Sequence, residues 1–259
     1  MSNESEKMPV LFVGHGSPMN AIEDNEFTRT WAKIATLFPK PKAILAVSAH
    51  WYTNGTRVDD EENPKMIYDM YGFPEELYKV VYDADGAPEF AKMTKELIKR
   101  EVSIDRSWGL DHGTWSVLTK MYPDADIPTY QLSVDGNASA ETHFQIGREI
   151  SALREKGVLI LGSGNVVHNL SKINWGMKGG FPWADEFDVF VKEKIQSKNY
   201  EDVVNYKKTG NIADLAVRTP DHFFPLLYVL GAAGDEDEVT VFNETRIMGS
   251  MSMTCYLLK

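Results

Sequence analysis

The pattern that decides the fold first appears at residues 9–15, which read Pro9-Val10-Leu11-Phe12-Val13-Gly14-His15. A short apolar run that stops at a glycine is typical of a buried β-strand. Two similar runs follow: Ala43–Val47 precedes His50, and Val158–Leu161 precedes a Gly-Ser-Gly turn and His168. Strands that are apolar throughout suit a sheet that helices cover on both faces.

Segments with helical spacing of apolar residues alternate with these strands. The predicted helices are Glu26–Phe38, Pro88–Val102 and Ser139–Lys156, and the further predicted strands are Ile127–Val134, Val239–Phe242 and Met251–Leu258. This alternation predicts an α/β fold with a mostly parallel central sheet flanked by helices. We expect one domain over residues 1–259, in which residues 1–7 form a flexible N-terminus.

Composition excludes several classes of protein. The chain has 259 residues and a net charge of −11, without a block of Lys and Arg, so we expect no nucleic-acid partner. Its one cysteine, Cys255, leaves neither an intrachain disulfide nor a thiolate metal site, which favours a cytoplasmic location. No apolar run resembles a signal peptide or a membrane span, so we expect no membrane partner. We expect the protein to be a monomer or a small homo-oligomer.

Familiar nucleotide and hydrolase motifs are absent from the sequence. Gly14-His15-Gly16 and Gly162-Ser163-Gly164 each follow a strand, but Met19 and Val167 stand where a dinucleotide-binding loop needs its third glycine. The sequence contains no Walker A loop, no Gly-x-Ser-x-Gly elbow and no His-Glu-x-x-His helix.

Three histidines follow predicted strands, and small residues surround each of them. Ligands of open α/β sheets bind beyond the carboxyl ends of the strands, so we expect His15, His50 and His168 at one rim. Imidazole is the commonest metal ligand and titrates near neutral pH. A single histidine is more often structural than functional, but this grouping predicts a metal site with acid–base chemistry.

The remaining three histidines carry weaker signals. His222 is predicted as the third residue of a helix that Thr219 caps and Pro220 begins, although Pro225 would disturb a long helix there. We expect His112, which lies between Asp111 and Gly113, in a loop near the site. His143 falls on a predicted helix, and we interpret it as structural or exposed.

Several blocks, in order along nearly the whole chain, resemble the class III, LigB-type extradiol dioxygenases, and specifically the bacterial 4,5-DOPA extradiol dioxygenases. The matching blocks are Leu11–Met19, Val47–Trp51, Tyr71–Pro74, Gly109–Gly113, Gly162–Asn169 and Thr219–His222. Each block is modest alone, and together they are specific.

The resemblance implies a role for five histidines. His15, His50 and His222 would hold one non-haem metal, with His168 as the acid–base residue or as a fourth ligand of a resting zinc form. His112 would be a hydrogen-bonding catalytic residue. Better-known class III enzymes use two histidines and a glutamate, whereas the third position here is His222. A neutral three-histidine site leaves the ion its full charge and accepts Zn(II) easily, so the resident metal stays open.

The implied activity is Fe(II)-dependent cleavage of a catechol by O2, with L-DOPA or a related dihydroxyphenyl compound as substrate and a muconic semialdehyde as product. Two alternatives stay open: a zinc hydrolase, and a metal-binding interaction module that resembles the Memo proteins.

Other residues are candidates for supporting roles around the site. Asp111 and Asp221 are candidates to orient the histidines, and Arg57, Lys65 and Arg218 are candidates to meet a substrate carboxylate. Candidate aromatic walls are Trp51, Tyr52, Tyr71, Phe73, Trp115 and Trp183.

Overall fold

The fold is described from a computed structural model, which covers residues 7–259, so the predicted N-terminal segment lies almost wholly outside the described residues. The helices are α1 (Glu26–Ile34), α2 (Pro88–Leu97), α3 (His112–Met121), α4 (Ala140–Ile150), α5 (Pro182–Gln196), α6 (Tyr200–Val204), α7 (Asn211–Ala216) and α8 (Phe224–Ala232). The strands are β1 (Val10–Gly14), β2 (Ala43–Ser48), β3 (Tyr52–Thr53), β4 (Thr56–Val58), β5 (Val102–Ile104), β6 (Thr129–Gln131), β7 (Val134–Asp135), β8 (Val158–Gly164), β9 (Val239–Phe242), β10 (Arg246–Ile247), β11 (Met251–Ser252) and β12 (Cys255–Leu258).

A six-stranded sheet in the order β6-β2-β8-β1-β12-β9 forms the centre of the fold. Strands β6, β2, β8 and β1 run parallel, and β12 pairs antiparallel with both β1 and β9. The sheet is therefore mostly parallel, with β12 alone reversed, and the predicted fold class is confirmed. The three strands predicted from apolar runs, β1, β2 and β8, lie side by side in its middle.

Alternate residues of the central strands supply two separate apolar cores. Val10, Phe12 and Ile160 face the core that contains α4 and α8. Leu11 and Leu161 face the core that contains α1 and α3. Because successive side chains of a strand point to opposite faces, a strand between two helical layers must be apolar at every position.

Several predicted boundaries are wrong at one end. Helix α1 ends at Ile34, because the predicted continuation to Phe38 forms turns, and α2 ends at Leu97 and gives way to β5. Helix α4 ends at Ile150, and the chain continues to Lys156 as a 3₁₀-helix. Gly157 then adopts a left-handed conformation (φ 88°), the chain reversal expected of a helix-ending glycine.

Within residues 7–259, no helix is both long and apolar enough to cross a membrane.

Candidate metal centre and substrate cavity

Five of the six histidines line one cavity at the carboxyl ends of the central strands. His15 directly follows β1, His50 lies two residues after β2, and His168 lies four residues after β8. Since β2, β8 and β1 are neighbours, their ends deliver these three rings to one rim of the sheet. His112 and His222 complete the group, which we call the histidine floor.

The tautomer of His15 follows from its contact with β8. Its Nδ1 lies 3.0 Å from the hydroxyl oxygen of Ser163, and that hydroxyl donates its own proton to the carbonyl oxygen of Gly113 at 2.5 Å. The Ser163 oxygen can therefore only accept from His15, so Nδ1 carries the ring proton. The Nε2 of His15 is left with a free lone pair, the form that binds a metal.

His50 and His112 share one carboxylate. Oδ2 of Asp69 lies 3.1 Å from Nδ1 of His50 and 3.0 Å from Nδ1 of His112, and the His112 ring is not aligned for a hydrogen bond. The rings of His50 and His112 lie 3.8 Å apart between centroids. Burial opposes ionisation of Asp69, but His112 and His50 outweigh it and hold the pKa of this carboxyl well below its usual range.

The carboxylate of Asp69 also changes the pKa of His50. Burial lowers the pKa of His50, but the contact with Asp69 and the charges of Asp111 and Asp69 outweigh burial and raise it above its ordinary value. A carboxylate at Nδ1 fixes the proton there and turns Nε2 toward the cavity, the arrangement found for metal-ligating histidines.

His222 lies before α8 and not inside it, so the predicted helix start at Thr219 and Pro220 is wrong. Residues 220–223 form a turn, α8 begins at Phe224, and Pro225 occupies its first turn, where proline is tolerated. The backbone carbonyl of His222 accepts a hydrogen bond from the amide of Asn165 at 2.9 Å. A Cβ at Gly164 would collide with that carbonyl, so the glycine permits the turn to dock on the end of β8.

Asp221 orients the ring of His222 through a hydrogen bond between its Oδ2 and Nδ1. Burial, and next the adjacent ring of His168, holds the pKa of His222 well below its ordinary value. Burial and the neighbouring His50 and His222 lower the pKa of His15 in the same way. Both rings are therefore neutral at pH 7 and keep a lone pair on Nε2.

His168 stacks on His222, with 3.5 Å between ring centroids and 8° between ring planes. Its backbone is held on both sides, since its amide donates to the carbonyl of Ala216 at 2.9 Å and the residue bridges to Val217 and Met251. Burial lowers the pKa of His168 to about 4, against a weaker opposing effect of Asp221. The ring is therefore neutral at pH 7 and able to accept a proton.

The rings of His15, His50 and His222 form a nearly equilateral triangle, with centroid distances of 5.1, 5.3 and 5.1 Å. Nε2 of His15 and Nε2 of His50 face each other at 3.2 Å. Two ligands at right angles on one ion, each bound at about 2.1 Å, would lie about 3.0 Å apart. With both Nδ1 atoms protonated, the facing lone pairs need a proton or a metal ion between them, so this donor set fits a cation.

Among residues 7–259, two groups of three side chains have all their ligand atoms within metal-binding reach of one another, and neither is the predicted triangle. Ligand atoms of His15, His50 and His112 lie within 4.8 Å of one another, as do those of His168, Asp221 and His222. The pair of His15 and His50 is common to the predicted triangle and to the first of these groups, and His112 as well as His222 lies close enough to be the third histidine.

His112 begins a helix, so its predicted position in a loop is wrong. It is the first residue of α3, and Asp111 is the N-cap, with its side chain accepting from the amide of Thr114. The same carboxylate accepts from the hydroxyl of Ser48 at 2.6 Å and from the side-chain amide Nε2 of Gln131 at 2.9 Å. Asp111 is fully buried and ties the start of α3 to the end of β2.

His143 lies away from the cavity. It is fully buried, and its Nδ1 lies 2.9 Å from the hydroxyl oxygen of Tyr228, which joins α4 to α8. Of the two interpretations left open by the sequence, the structural one holds and the exposed one does not.

The cavity above the histidine floor has a volume of about 510 Å³. Apart from the histidines, its lining is apolar except for Gly16 and Ser17, and it includes five apolar side chains that are partly or largely exposed: Met70, Phe73, Leu170, Ile173 and Trp175. We call these five residues the apolar mouth. Met70 and Phe73 belong to one segment of the chain and the other three residues to a second, and Trp175 is 82% exposed.

Most of the aromatic residues considered as cavity walls lie elsewhere. Of the six candidates only Phe73 lines the cavity, while Trp51 and Trp115 are buried in the fold and Tyr71 is 92% exposed. Arg57, Lys65 and Arg218 do not line the cavity.

Sequence reasoning missed Asp69 and Trp175. Asp69 stands two positions before the block Tyr71–Pro74 that carries part of the family resemblance, and this proximity could have indicated it. Trp175 lies in a segment without periodicity between β8 and α5, which gives no local signal of a cavity wall.

Comparison with known proteins agrees with this geometry. The model of the catalytic LigB subunit of aromatic ring-opening dioxygenases matches residues 9–256. The chain belongs to the LigB family. The predicted family, and with it an aromatic ring-opening dioxygenase as the class of enzyme, is confirmed.

Relatives of this LigB protein occur in bacteria and plants. The 4,5-DOPA dioxygenase extradiol of Escherichia coli (strain K12) is 46% identical over 255 residues, which cover 96% of this chain and 94% of the relative. The 4,5-DOPA dioxygenase extradiol of Beta vulgaris is 36% identical, covering 99% and 98% of the two chains. The crystal structure of an uncharacterized protein from Escherichia coli K12 superposes with a TM-score of 0.85 at 42% identity, covering 97% of this chain and 100% of the other.

Proposed function

We propose that this LigB protein is an extradiol dioxygenase that uses non-haem Fe(II) and O2 to open a catechol ring to a muconic semialdehyde. The substrate would be L-DOPA or a related dihydroxyphenyl compound, the class that the names of its relatives indicate. The observation that carries the proposal is the triangle of His15, His50 and His222 at the base of a substrate-sized cavity.

His15, His50 and His222 would hold the metal through Nε2. Ser163, Asp69 and Asp221 face the opposite nitrogen of these rings, which supports that tautomer in each case. A facial set of three protein ligands leaves positions open for both a chelating catechol and O2, and Fe(II) supplies the electron transfer that Zn(II) cannot.

His168 would exchange protons with the substrate. Its ring lies beside His222 and lines the cavity, and a neutral imidazole at pH 7 can take a proton from a catechol hydroxyl. Burial disfavours the resulting imidazolium, so the ring returns the proton readily when the ring-opening step needs an acid. In a zinc-loaded resting form, the same ring would serve as a fourth ligand.

His112 would hydrogen-bond an oxygen of the substrate or of O2. It lines the cavity, and its Nδ1 lies 3.0 Å from Oδ2 of Asp69. A donor placed where oxygen charge develops stabilises the transition state electrostatically.

The test is oxygen consumption by metal-stripped protein that is reloaded anaerobically with Fe(II) and then given L-DOPA and a panel of catechols. We expect stoichiometric O2 uptake with a new yellow chromophore, and no uptake by the zinc-loaded control. Confirmed Fe(II) occupancy without uptake on any catechol would overturn the proposal and favour a zinc hydrolase or a metal-binding interaction module.

A further inference from the structure

The apolar mouth has no charged partner to offer the ring substituent of a substrate. Among residues 7–259, neither Lys nor Arg lines the cavity, and the only polar side chains in the lining are the five histidines and Ser17. The carboxylate and ammonium of an amino acid would therefore lose water at the mouth without gaining an ion pair, which is unfavourable.

Acidic side chains contact the rings of the histidine floor. Asp69 and Asp221 contact rings of the histidine floor, and the whole chain carries a net charge of −11. A low-dielectric cavity with acidic surroundings disfavours an anionic group on the substrate. The bound ion would offset this charge at the floor, where the catechol oxygens sit, and less so at the mouth.

The side chains of the mouth suit an apolar group. Trp175 is 82% exposed and Leu170 59% exposed although both line the cavity, so each has apolar surface left to cover. Met70 lies in the other segment of the mouth, and methionine adapts to substituents of different shape. A substituent that projects from the catechol ring toward solvent would pass between these two segments.

We propose that the preferred substrate is a catechol with an uncharged, apolar ring substituent, and that L-DOPA is a poorer substrate. This inference rests on the proposed function and names the substrate class of the same site. The mouth selects the substituent by covering apolar surface, while the histidine floor binds the catechol oxygens that all such substrates share.

A matched pair of substrates tests this directly. 4-Butylcatechol and 3-(3,4-dihydroxyphenyl)propanoate are similar in length and differ in an ethyl group against a carboxylate. We expect kcat/KM of the Fe(II)-loaded enzyme to be at least about tenfold higher for 4-butylcatechol, with L-DOPA close to the propanoate. Each methylene between 4-methylcatechol and 4-butylcatechol should lower the dissociation constant by about fourfold, until the mouth is filled.

Binding provides a second readout that does not depend on turnover. Zinc-loaded protein is titrated with 4-nitrocatechol, and each compound of the matched pair then competes for the site. The same order of affinities is expected. An equal or higher kcat/KM and affinity for the propanoate or L-DOPA would overturn this inference alone. Failure of every catechol to bind and to be cleaved would overturn the proposed function, and this inference with it.

Substitution of a mouth residue tests whether the mouth determines the preference for one ring substituent over another. Ile173→Lys places a cation in the mouth, and we expect it to shift the kcat/KM ratio of the matched pair at least about tenfold toward the propanoate. The matched control, Ile173→Met, should leave that ratio within about twofold of the original protein. An unchanged ratio in Ile173→Lys would overturn the assignment of the mouth as the region that selects the substituent.

Discussion

The histidine floor and the apolar mouth belong to one cavity but are built in opposite ways. The floor stands on the ends of β1, β2 and β8, and the partners of its rings are buried or nearly so. In the mouth, Leu170 and Trp175 are exposed, the other three side chains are partly buried, and none of the five lies in a β-strand or an α-helix. Rigid elements hold groups in position more exactly than loops, so we assign the proposed chemistry to the floor. Changes in the loops can then alter substrate specificity without disturbing that chemistry.

The largest effect should come from breaking the floor itself. His222→Ala removes one corner of the triangle, and we expect loss of stoichiometric metal with a fall in turnover of about a thousandfold or more. Metal content by elemental analysis and O2 uptake measure this, with His143→Gln as the control that keeps both. Full metal retention in His222→Ala would instead assign the third ligand to His112, which also faces His15 and His50.

His168→Ala separates proton transfer from metal binding. We expect the variant to keep its metal and to lose turnover by about 10²- to 10⁴-fold, because the acid–base group is absent. Metal content and single-turnover kinetics on one preparation decide this. If the metal is lost together with activity, His168 is a ligand in the active form.

Asp69→Asn tests the contribution of the carboxylate that contacts His50 and His112. The amide keeps the shape but removes the charge that lies 3.1 Å from His50 and 3.0 Å from His112. We expect metal affinity or turnover to fall by about 10- to 100-fold, as is usual when the partner of a metal-ligating histidine is lost. Titration with Fe(II) under argon and steady-state O2 uptake give the two values, and normal values for both would show that Asp69 only fills space.

Trp175→Ala should act on the mouth alone. We expect KM for an apolar-substituted catechol to rise by about three- to tenfold with little change in kcat, since the ring covers the substituent and takes no part in the reaction. Steady-state kinetics on 4-butylcatechol measure it, and Trp183→Phe, outside the cavity, serves as the control. A fall in kcat with unchanged KM would contradict the division between floor and mouth.

The smallest effect on turnover is expected at His143, a buried histidine outside both regions. Burial lowers its pKa to about 4 from an ordinary value of 6.5. The unfolded chain therefore binds the proton more tightly, so the contribution of His143 is fully present above pH 6.5 and declines as the pH falls toward 4, by about 3 kcal/mol. Urea unfolding of the metal-free protein between pH 7.5 and 4 should show a shallower decline for His143→Gln, with unchanged turnover at pH 7.5. An identical decline in both proteins would contradict this explanation.

Sequence patterns predict the floor better than the mouth for a physical reason. The strands before His15, His50 and His168 are apolar because both of their faces are covered. This burial produces uninterrupted apolar runs that can be recognised in the sequence. Helix α3 was not predicted because every residue of His112–Leu118 is buried, so the helix lacks the polar face that marks an amphipathic helix. Asp69 and Trp175 lie in loops, whose paths no periodic pattern encodes, and only Asp69 has a matching block of the family resemblance close by.

The triangle of rings also joins distant parts of the chain, since its corners stand at positions 15, 50 and 222. Its closure depends on the hydrogen bonds from His15 to Gly164 and from Asn165 to His222, both formed across the end of β8. A nascent chain therefore cannot assemble the triangle before residue 222 has been synthesised and docked. An ion held by all three rings would bind only the completed fold and slow its unfolding, so metal uptake would report the end of folding rather than its beginning.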